Sequence, residues 1–282
     1  MIYVSTGGFR NKTADEVSAE LLSAGVKNVE LSGGAYSAAL LSDLKALTPD
    51  VHFQIHNYFP PPEDPFVLNL GSLDTVVGER SVAHVEQALR WCQTLGADRY
   101  SFHAGFLLDP KVDELGKRIP SRSLFDRDES INVFVSRVSR LVDIAERAGV
   151  ALMIENNVLS ARNALEFSAN PLLMCDPQEC LKVLDMLPDS AGLLVDVAHL
   201  KVSANSLDFD PSQMFDVCHE RIAGHHLSDN NGLEDSNRPF DNEAWFWPHL
   251  RSEIDYYSVE VYGSTPDQLL QQVNLVQSKL HT

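Results

Sequence analysis

The sequence predicts a single (β/α)8 barrel of the α/β class, in which eight parallel strands close into a cylinder and helices surround it. Two observations predict it. Apolar runs of strand length alternate with amphipathic stretches of helix length eight times along the chain. The long connections all follow strands, whereas the connections from helix to strand are short. Because no linker rich in proline or serine interrupts this pattern, we predict one domain over residues 1–282.

In the first half of the chain, strands are recognised as short apolar runs and helices by capping signals or apolar stripes. Thr13 and Glu16 form a capping box at the start of the first helix. The third helix carries apolar residues at helical spacing, among them Val82, Val85 and Leu89. The predicted strands are Ile2–Ser5, Lys27–Leu31, Val51–His56, Asp98–His103 and Val150–Glu155. The predicted helices are Thr13–Ala24, Tyr36–Leu47, Glu79–Leu95 and Ser130–Ala148.

The second half repeats the plan, and proline directly follows the capping residue of three of its helices. Proline suits the first helical position because an N–H there has no partner within the helix. The predicted strands are Ala191–Asp196, Arg221–His226 and Tyr256–Tyr262. The predicted helices begin at Asp176, Asp210, Asn242 and Thr265, and the first, third and fourth of these end near Leu187, Glu253 and Leu280.

The composition excludes several classes of function. The formal net charge is −18 and no basic patch opposes it, so we expect no nucleic-acid partner and no binding to anionic lipid. No run approaches the roughly 20 apolar residues that a membrane helix needs, and the first residues do not resemble a signal peptide. The four cysteines form no CxxC pair, which favours a reducing compartment, and we expect a cytoplasmic protein.

Polar side chains cluster where the predicted strands end, which in a (β/α)8 barrel is the catalytic face. Glu155, Asp196, His226 and Glu260 come from four consecutive strands. Three carboxylates and one imidazole form an oxygen-rich ligand set that suits manganese, magnesium or cobalt better than a thiolate-type zinc site. The alternative is that these side chains pair with one another or with lysines, although like charges in a closed mouth repel without a cation. Glu30, on the second strand, either reaches the same mouth or pairs with a lysine.

Four motifs lie at the ends of the last four strands: IENN (154–157), DVAH (196–199), HHLSDNNG (225–232) and VEVYG (259–263). They resemble those of the xylose isomerase-like TIM barrel superfamily, in particular its sugar and sugar-phosphate isomerase/epimerase branch. The resemblance implies one divalent metal, usually manganese, magnesium or cobalt, with zinc as an alternative, held by Glu155, Asp196, His226 and Glu260. It also implies that Glu155 and Glu260 act as the acid/base pair, unless they are ligands only, and that His199 contacts substrate oxygens.

Further polar residues on the same face are candidates for binding the substrate. We expect His56 and His103, at the ends of the third and fourth strands, to bind sugar hydroxyls, and Asn157 and Arg238 belong to the same group. For the two histidines the alternatives are a structural role or a second metal shared with Glu155. Arg238 is one of four loop arginines that can hold a phosphate or a carboxylate.

The resemblance implies a divalent-metal-dependent isomerase or epimerase of a sugar or sugar phosphate. A metal bridging the carbonyl oxygen and the neighbouring hydroxyl lowers the cost of an enediolate, while one carboxylate removes a proton and a second returns it. Return to the opposite face gives an epimer, and return to the neighbouring carbon gives aldose–ketose isomerisation. Since barrels of this family often pair, we also expect a homodimer.

Three other functions stay open. A dehydratase of an inosose or dehydroshikimate type would use the same metal and a base, and would then expel a β-hydroxyl. A non-catalytic sugar-binding barrel would keep the metal site without proton exchange at carbon. The apurinic-site endonucleases of the same superfamily hold three zincs, partly through an Asp-x-His pair. This chain has Asp235-Ser236-Asn237 in that place, and its negative charge argues against DNA.

Overall fold

The structure is a computed structural model that describes residues 1–9 and 11–280 of the chain. In that part, eight parallel strands close into one barrel in chain order, and nine α-helices accompany them. The predicted (β/α)8 architecture is therefore confirmed. The strands are β1 Ile2–Ser5, β2 Asn28–Leu31, β3 His52–His56, β4 Arg99–His103, β5 Ala151–Glu155, β6 Gly192–Asp196, β7 Ile222–Leu227 and β8 Tyr257–Val259. The helices are α1 Ala14–Ser23, α2 Leu40–Leu47, α3 Thr75–Leu95, α4 Arg127–Ala148, α5 Ala161–Glu166, α6 Pro177–Asp185, α7 Val197–Leu207, α8 Gln213–Val217 and α9 Pro266–Leu280.

The predicted capping signals act as expected at two helices. The Glu16 carboxylate accepts a hydrogen bond from the Thr13 N–H at 3.0 Å, which is half of the capping box at α1. At α6 the Asp176 carboxylate accepts from two backbone N–H groups, and Pro177 occupies the first helical position. Of the helices in the described ranges, none combines the length and the apolar character that crossing a bilayer requires.

Alternate residues of each strand face opposite sides of the barrel wall, and their chemistry differs accordingly. On β5, Leu152 and Ile154 belong to the large core between the barrel and the helices. Met153 faces the barrel interior, where it packs with Tyr3, Leu194 and Tyr256 in a small apolar plug. Two residues further along the strands, the inward side chains become polar. The polar side chains at the strand ends therefore lie directly above a layer of apolar side chains inside the barrel.

The strand register decides which of these polar residues become neighbours. His103 is level with Glu155 on the adjacent strand, and Asp196 is level with His226. Residues far apart in the sequence thus meet at one end of the barrel because the strands are parallel and in register.

One predicted helix in the second half is wrong, and a second is shorter than predicted. Between Asn242 and Glu253 the chain forms turns and one short 3-10 helix, Trp247–His249, instead of an α-helix. Pro248 lacks the N–H that an α-helix would need there, and the aromatic side chains around it pack on the core instead of forming a helical stripe. The helix that follows β6 begins at Val197 rather than near Asp210, where only the short α8 forms.

The loops that follow β3 and β4 cross closely at Gly105. A Cβ at this position would lie 2.8 Å from the Gly71 nitrogen and 2.9 Å from the Asn69 Oδ1 atom. The Gly105 carbonyl also accepts a hydrogen bond from the Leu173 N–H at 3.0 Å, so the backbone cannot shift freely. Only glycine fits this crossing.

We expect Gly105→Ala to lower the free energy of unfolding by about 1–3 kcal/mol, because the added methyl group meets backbone atoms. The measurement is the urea midpoint at constant slope. Gly33→Ala is the matched control, since its Cβ would come no nearer than 3.8 Å to the Gly7 Cα atom. Equal midpoints for the two variants would contradict the close crossing.

Candidate metal centre

Four side chains from consecutive strand ends converge on one point in the barrel mouth. Glu155 and Asp196 end β5 and β6, His226 lies near the end of β7, and Glu260 follows β8. One ligand atom from each of the four lies within 4.8 Å of the others. The His226 Nδ1 atom is 3.1 Å from the Glu260 Oε2 atom, 3.3 Å from the Glu155 Oε1 atom and 3.9 Å from the Asp196 Oδ2 atom. The structure brings the four predicted ligands together.

Several atoms at this point are buried without a hydrogen bond. They are both carboxylate oxygens of Glu155, the Asp196 Oδ2 atom and the His226 Nδ1 atom. Buried polar atoms are almost always hydrogen-bonded, because leaving them unpaired costs free energy. Unpaired oxygen and nitrogen donors that face one another at ligand distances are the arrangement that a divalent cation needs. The donor set therefore fits a metal ion.

The pKa values of the buried carboxylates in the cluster are also consistent with a bound cation. Burial raises the pKa of Asp196 to about 7, and the neighbouring carboxylates add to this effect. Burial by itself would also raise the pKa of Glu155, but the imidazoles of His103, His56 and His226 outweigh it and hold that pKa well below its usual range. A cation between the carboxylates would favour the deprotonated form of both.

His226 is held from behind by a buried carboxylate. Its Nε2 atom lies 2.8 Å from the Oε2 atom of Glu30, whose side chain points into the barrel from β2. The Ser258 hydroxyl donates to Glu30 at 3.0 Å, and the Tyr256 hydroxyl donates to it as well. Burial would raise the pKa of Glu30, but His226, with His56 and the Tyr256 hydroxyl, lowers it to about 2. Of the two alternatives for Glu30, the structure shows the side chain that reaches into the barrel and not the pairing with a lysine.

A second group of donors meets at Glu155. The Nε2 atoms of His56 and His103 lie 3.2 and 3.4 Å from the Glu155 Oε2 atom, and these three side chains also satisfy the distance limit for metal ligands. The Nδ1 atom of His56 is 2.9 Å from the Ser101 hydroxyl, which fixes the ring. Both imidazoles therefore face the mouth, and Glu155 is shared by two groups of donors.

His199 lies at the edge of the cluster, on the first turn of α7. The Asp196 carboxylate caps this helix by accepting from the His199 N–H at 2.7 Å, which leaves its other oxygen for the cluster. The His199 Nδ1 atom is 3.0 Å from the Asn156 carbonyl, and its Nε2 atom is 3.3 Å from the Asp235 Oδ2 atom. Asn237, two residues after Asp235 in the same loop, has a left-handed backbone with φ of 42°. Asparagine tolerates this conformation better than most residues do.

Two residues predicted to bind the substrate, Asn157 and Arg238, do not line the cluster of candidate metal ligands. The Asn157 amide donates to the backbone carbonyls of Ala104, Gly105 and Leu173, so it ties three loops together. Arg238 is exposed, and its backbone pairs with Asp229 in an isolated antiparallel bridge. The substrate contacts of Asn157 and Arg238 stay predictions.

A cavity of about 260 Å³ opens beside the cluster. Its wall includes two glycine-rich turns that follow β1 and β2. A Cβ at Gly7 would lie 2.9 Å from the Tyr262 hydroxyl and 3.2 Å from the Glu260 Oε1 atom, so a side chain there would enter the site. The Tyr262 hydroxyl donates to the same Glu260 oxygen at 3.0 Å. The lining residues are Gly7, Ser32, Gly33, Gly34, His56, Asn57, His103, Glu260 and Tyr262.

Sequence reasoning missed most of this wall. The signal was present as two Gly-Gly pairs, Gly7-Gly8 and Gly33-Gly34, each separated from the end of a predicted strand by one residue. Such a position places bare backbone at the catalytic face of a barrel, where a ligand can approach closely.

Comparison with known proteins agrees with this architecture. The family model described as xylose isomerase-like TIM barrel matches residues 19–270. No curated protein matches the sequence significantly. A D-tagatose 3-epimerase-like protein is similar in structure, with 16% identity, a TM-score of 0.70 and coverage of 99% of this chain and 97% of the other. The 3-keto-D-glucoside 4-epimerase of E. coli shares 12% identity, with a TM-score of 0.68 and 98% coverage of both chains.

A protein from Thermus thermophilus, whose crystals were soaked with zinc chloride, shares 21% identity, with a TM-score of 0.64 and 98% coverage of both chains. Identities at these levels show a common fold.

Proposed function

This chain belongs to the xylose isomerase-like TIM barrel family, and we propose that it is a divalent-metal-dependent isomerase or epimerase of a sugar or sugar phosphate. The main support is the buried cluster of Glu155, Asp196, His226 and Glu260, whose facing donor atoms include several without hydrogen bonds. The similar structures named as sugar epimerases add support from the fold. Because the ligand set has three carboxylates and no thiolate, we propose manganese, magnesium or cobalt ahead of zinc.

The adjacent cavity supports a small polar substrate. Its volume of about 260 Å³ is slightly below the range of about 300–1,000 Å³ in which drug-sized ligands bind. The wall offers hydroxyl, amide and imidazole groups that can bind sugar hydroxyls, among them Ser32, Asn57 and His103. Glu260 lines this wall, so its carboxylate can reach a substrate carbon.

The proposed chemistry is removal and return of a proton on a carbon next to a carbonyl group. When bound, a divalent cation supplies Lewis-acid stabilisation of the negative charge that develops on the substrate oxygens. Glu260 takes the proton, and the Tyr262 hydroxyl holds its carboxylate in place from 3.0 Å. Glu155, fully buried between His56 and His103, has a pKa held below its usual range and starts deprotonated. It therefore takes a proton from a substrate hydroxyl and delivers it to the opposite face or to the neighbouring carbon, while the proton on Glu260 passes to that hydroxyl oxygen. The first outcome is epimerisation and the second is isomerisation.

The test is proton exchange at carbon in deuterated water, followed by NMR. Protein loaded with Mn²⁺ for the reaction, and protein stripped by a chelator, are incubated with ketoses, aldoses and their phosphates, and the chelator is used to remove Mn²⁺ before spectra are recorded. We expect exchange or a new epimer only with the metal-loaded protein. Loss of water from a cyclic polyol ketone would instead assign a dehydratase. No exchange with any sugar, although Mn²⁺ is bound, would contradict the proposed function.

A further inference from the structure

We propose that Glu30 is a positioning residue for the candidate metal centre: it holds His226 so that the Nδ1 atom faces the metal. The proposal rests on the proposed function, because it concerns the same site. Glu30 lies on β2, fully buried, and is separated from His226 by 196 residues in the sequence. The two side chains meet only because the barrel closes.

The contact fixes which nitrogen of His226 is available. A carboxylate only accepts hydrogen bonds, so the Nε2 atom, 2.8 Å from the Glu30 Oε2 atom, must be the one that bears the hydrogen. The Nδ1 atom then offers its lone pair. This atom has no hydrogen bond of its own, and the three carboxylates of the cluster lie 3.1 to 3.9 Å from it. The side chain of Glu30 thus fixes both the tautomer and the ring orientation that a metal ligand requires.

Other side chains fix the carboxylate in turn. The hydroxyls of Tyr256 and Ser258, which face inward at alternate positions near β8, both donate to Glu30. The Tyr256 ring fits because Gly224 on β7 has no side chain, since a Cβ there would lie 2.6 Å from the ring. Tyr256 and Ser258, at the start of β8, therefore hold Glu30 in place behind the ligand.

The experiment compares Glu30→Gln with Ser258→Ala in the full-length protein. The first variant keeps the shape of the side chain and removes its charge. The second removes a hydrogen-bond partner of Glu30 that is level with His226 on the neighbouring strand but makes no hydrogen bond to its ring. Mn²⁺ affinity is measured by calorimetry, and the visible absorption bands are recorded after loading with Co²⁺. We expect Glu30→Gln to weaken Mn²⁺ binding about 10- to 100-fold and to shift the Co²⁺ bands, since outer partners of metal-bound histidines have effects of this size. We expect Ser258→Ala to change the affinity by less than the roughly 10-fold that loss of an outer partner of a metal ligand costs, because the Glu30–His226 contact remains.

Each other outcome overturns the proposal in a recognisable way. Unchanged Mn²⁺ affinity and unchanged Co²⁺ bands in Glu30→Gln would remove the positioning role. An equal loss of affinity in both variants, together with an equal loss of thermal stability without metal, would make the role of Glu30 purely structural. If Glu30→Gln does not fold, Glu30→Asp retains the charge at a shorter reach and is expected to bind Mn²⁺ more weakly than the wild type. Wild-type protein that binds no Mn²⁺ would end both proposals, whereas Mn²⁺ binding without sugar turnover would end only the proposed function.

Discussion

Replacing Glu260 by glutamine is expected to lower the metal-dependent proton exchange at carbon by about 100- to 10,000-fold, the usual contribution of a general acid or base. Glutamine keeps the shape of the side chain and can still accept the hydrogen bond from Tyr262, but it cannot take a proton. We expect a loss of the same order for Glu155→Gln. The measurement is the initial rate of deuterium incorporation, at saturating substrate, over a range of Mn²⁺ concentrations.

The range of Mn²⁺ concentrations separates a proton-transfer role from a ligand role. Asp196→Asn is the control, since we propose Asp196 only as a ligand. Its lower activity should recover when excess Mn²⁺ compensates for weaker binding. The activity of Glu260→Gln should stay low at saturating Mn²⁺, because the missing base is not restored. Full recovery of both glutamate variants would mean that they are ligands only and that another group transfers the proton.

The sequence predicted the architecture and the four candidate ligands because both depend on regular features. Strand-length and helix-length patterns determine the barrel, and parallel strands bring their carboxyl ends together. Glu155, Asp196, His226 and Glu260 could therefore be grouped without knowing any distance. The alternation of side chains along a strand also accounts for His225, one residue before His226, which points away from the mouth and stacks on Tyr257.

Other features could not be predicted because they depend on where the chain packs. The segment from Gly192 to Leu200 is almost continuously apolar, so the change from β6 to α7 at Asp196 carries no turn signal. Glu30 has no nearby partner in the sequence, and its contact with His226 exists only in the closed barrel. The part of the cavity wall that Gly7 forms depends on how closely Tyr262 and Glu260 approach the turn after β1. The roles of the site residues, unlike the fold, stay predictions.

Adding Mn²⁺ is expected to raise the melting temperature on the order of 10 °C when its concentration is about 1,000 times the dissociation constant. Binding to the folded state at that ratio contributes about 4 kcal/mol, and each kcal/mol corresponds to about 2–4 °C for a chain somewhat smaller than this one. The effect follows from the buried donors: without a cation, Glu155, Asp196 and Glu260 face one another within 4.8 Å. The measurement is a thermal unfolding scan with Mn²⁺ and with chelator.

Asp196→Asn tests whether this stabilisation comes from the cluster. Asparagine caps a helix about as well as aspartate, so the start of α7 should be preserved while the charge toward the cation is lost. We expect most of the Mn²⁺-dependent shift to disappear. Asp176→Asn is the matched control, because Asp176 caps α6 and belongs to none of the clusters of metal donors found in the described residues. Its Mn²⁺-dependent shift should equal that of the wild type. If Mn²⁺ stabilises none of the three proteins, the imidazoles of His226 and His199 balance the carboxylates, and the cluster is a network of ion pairs.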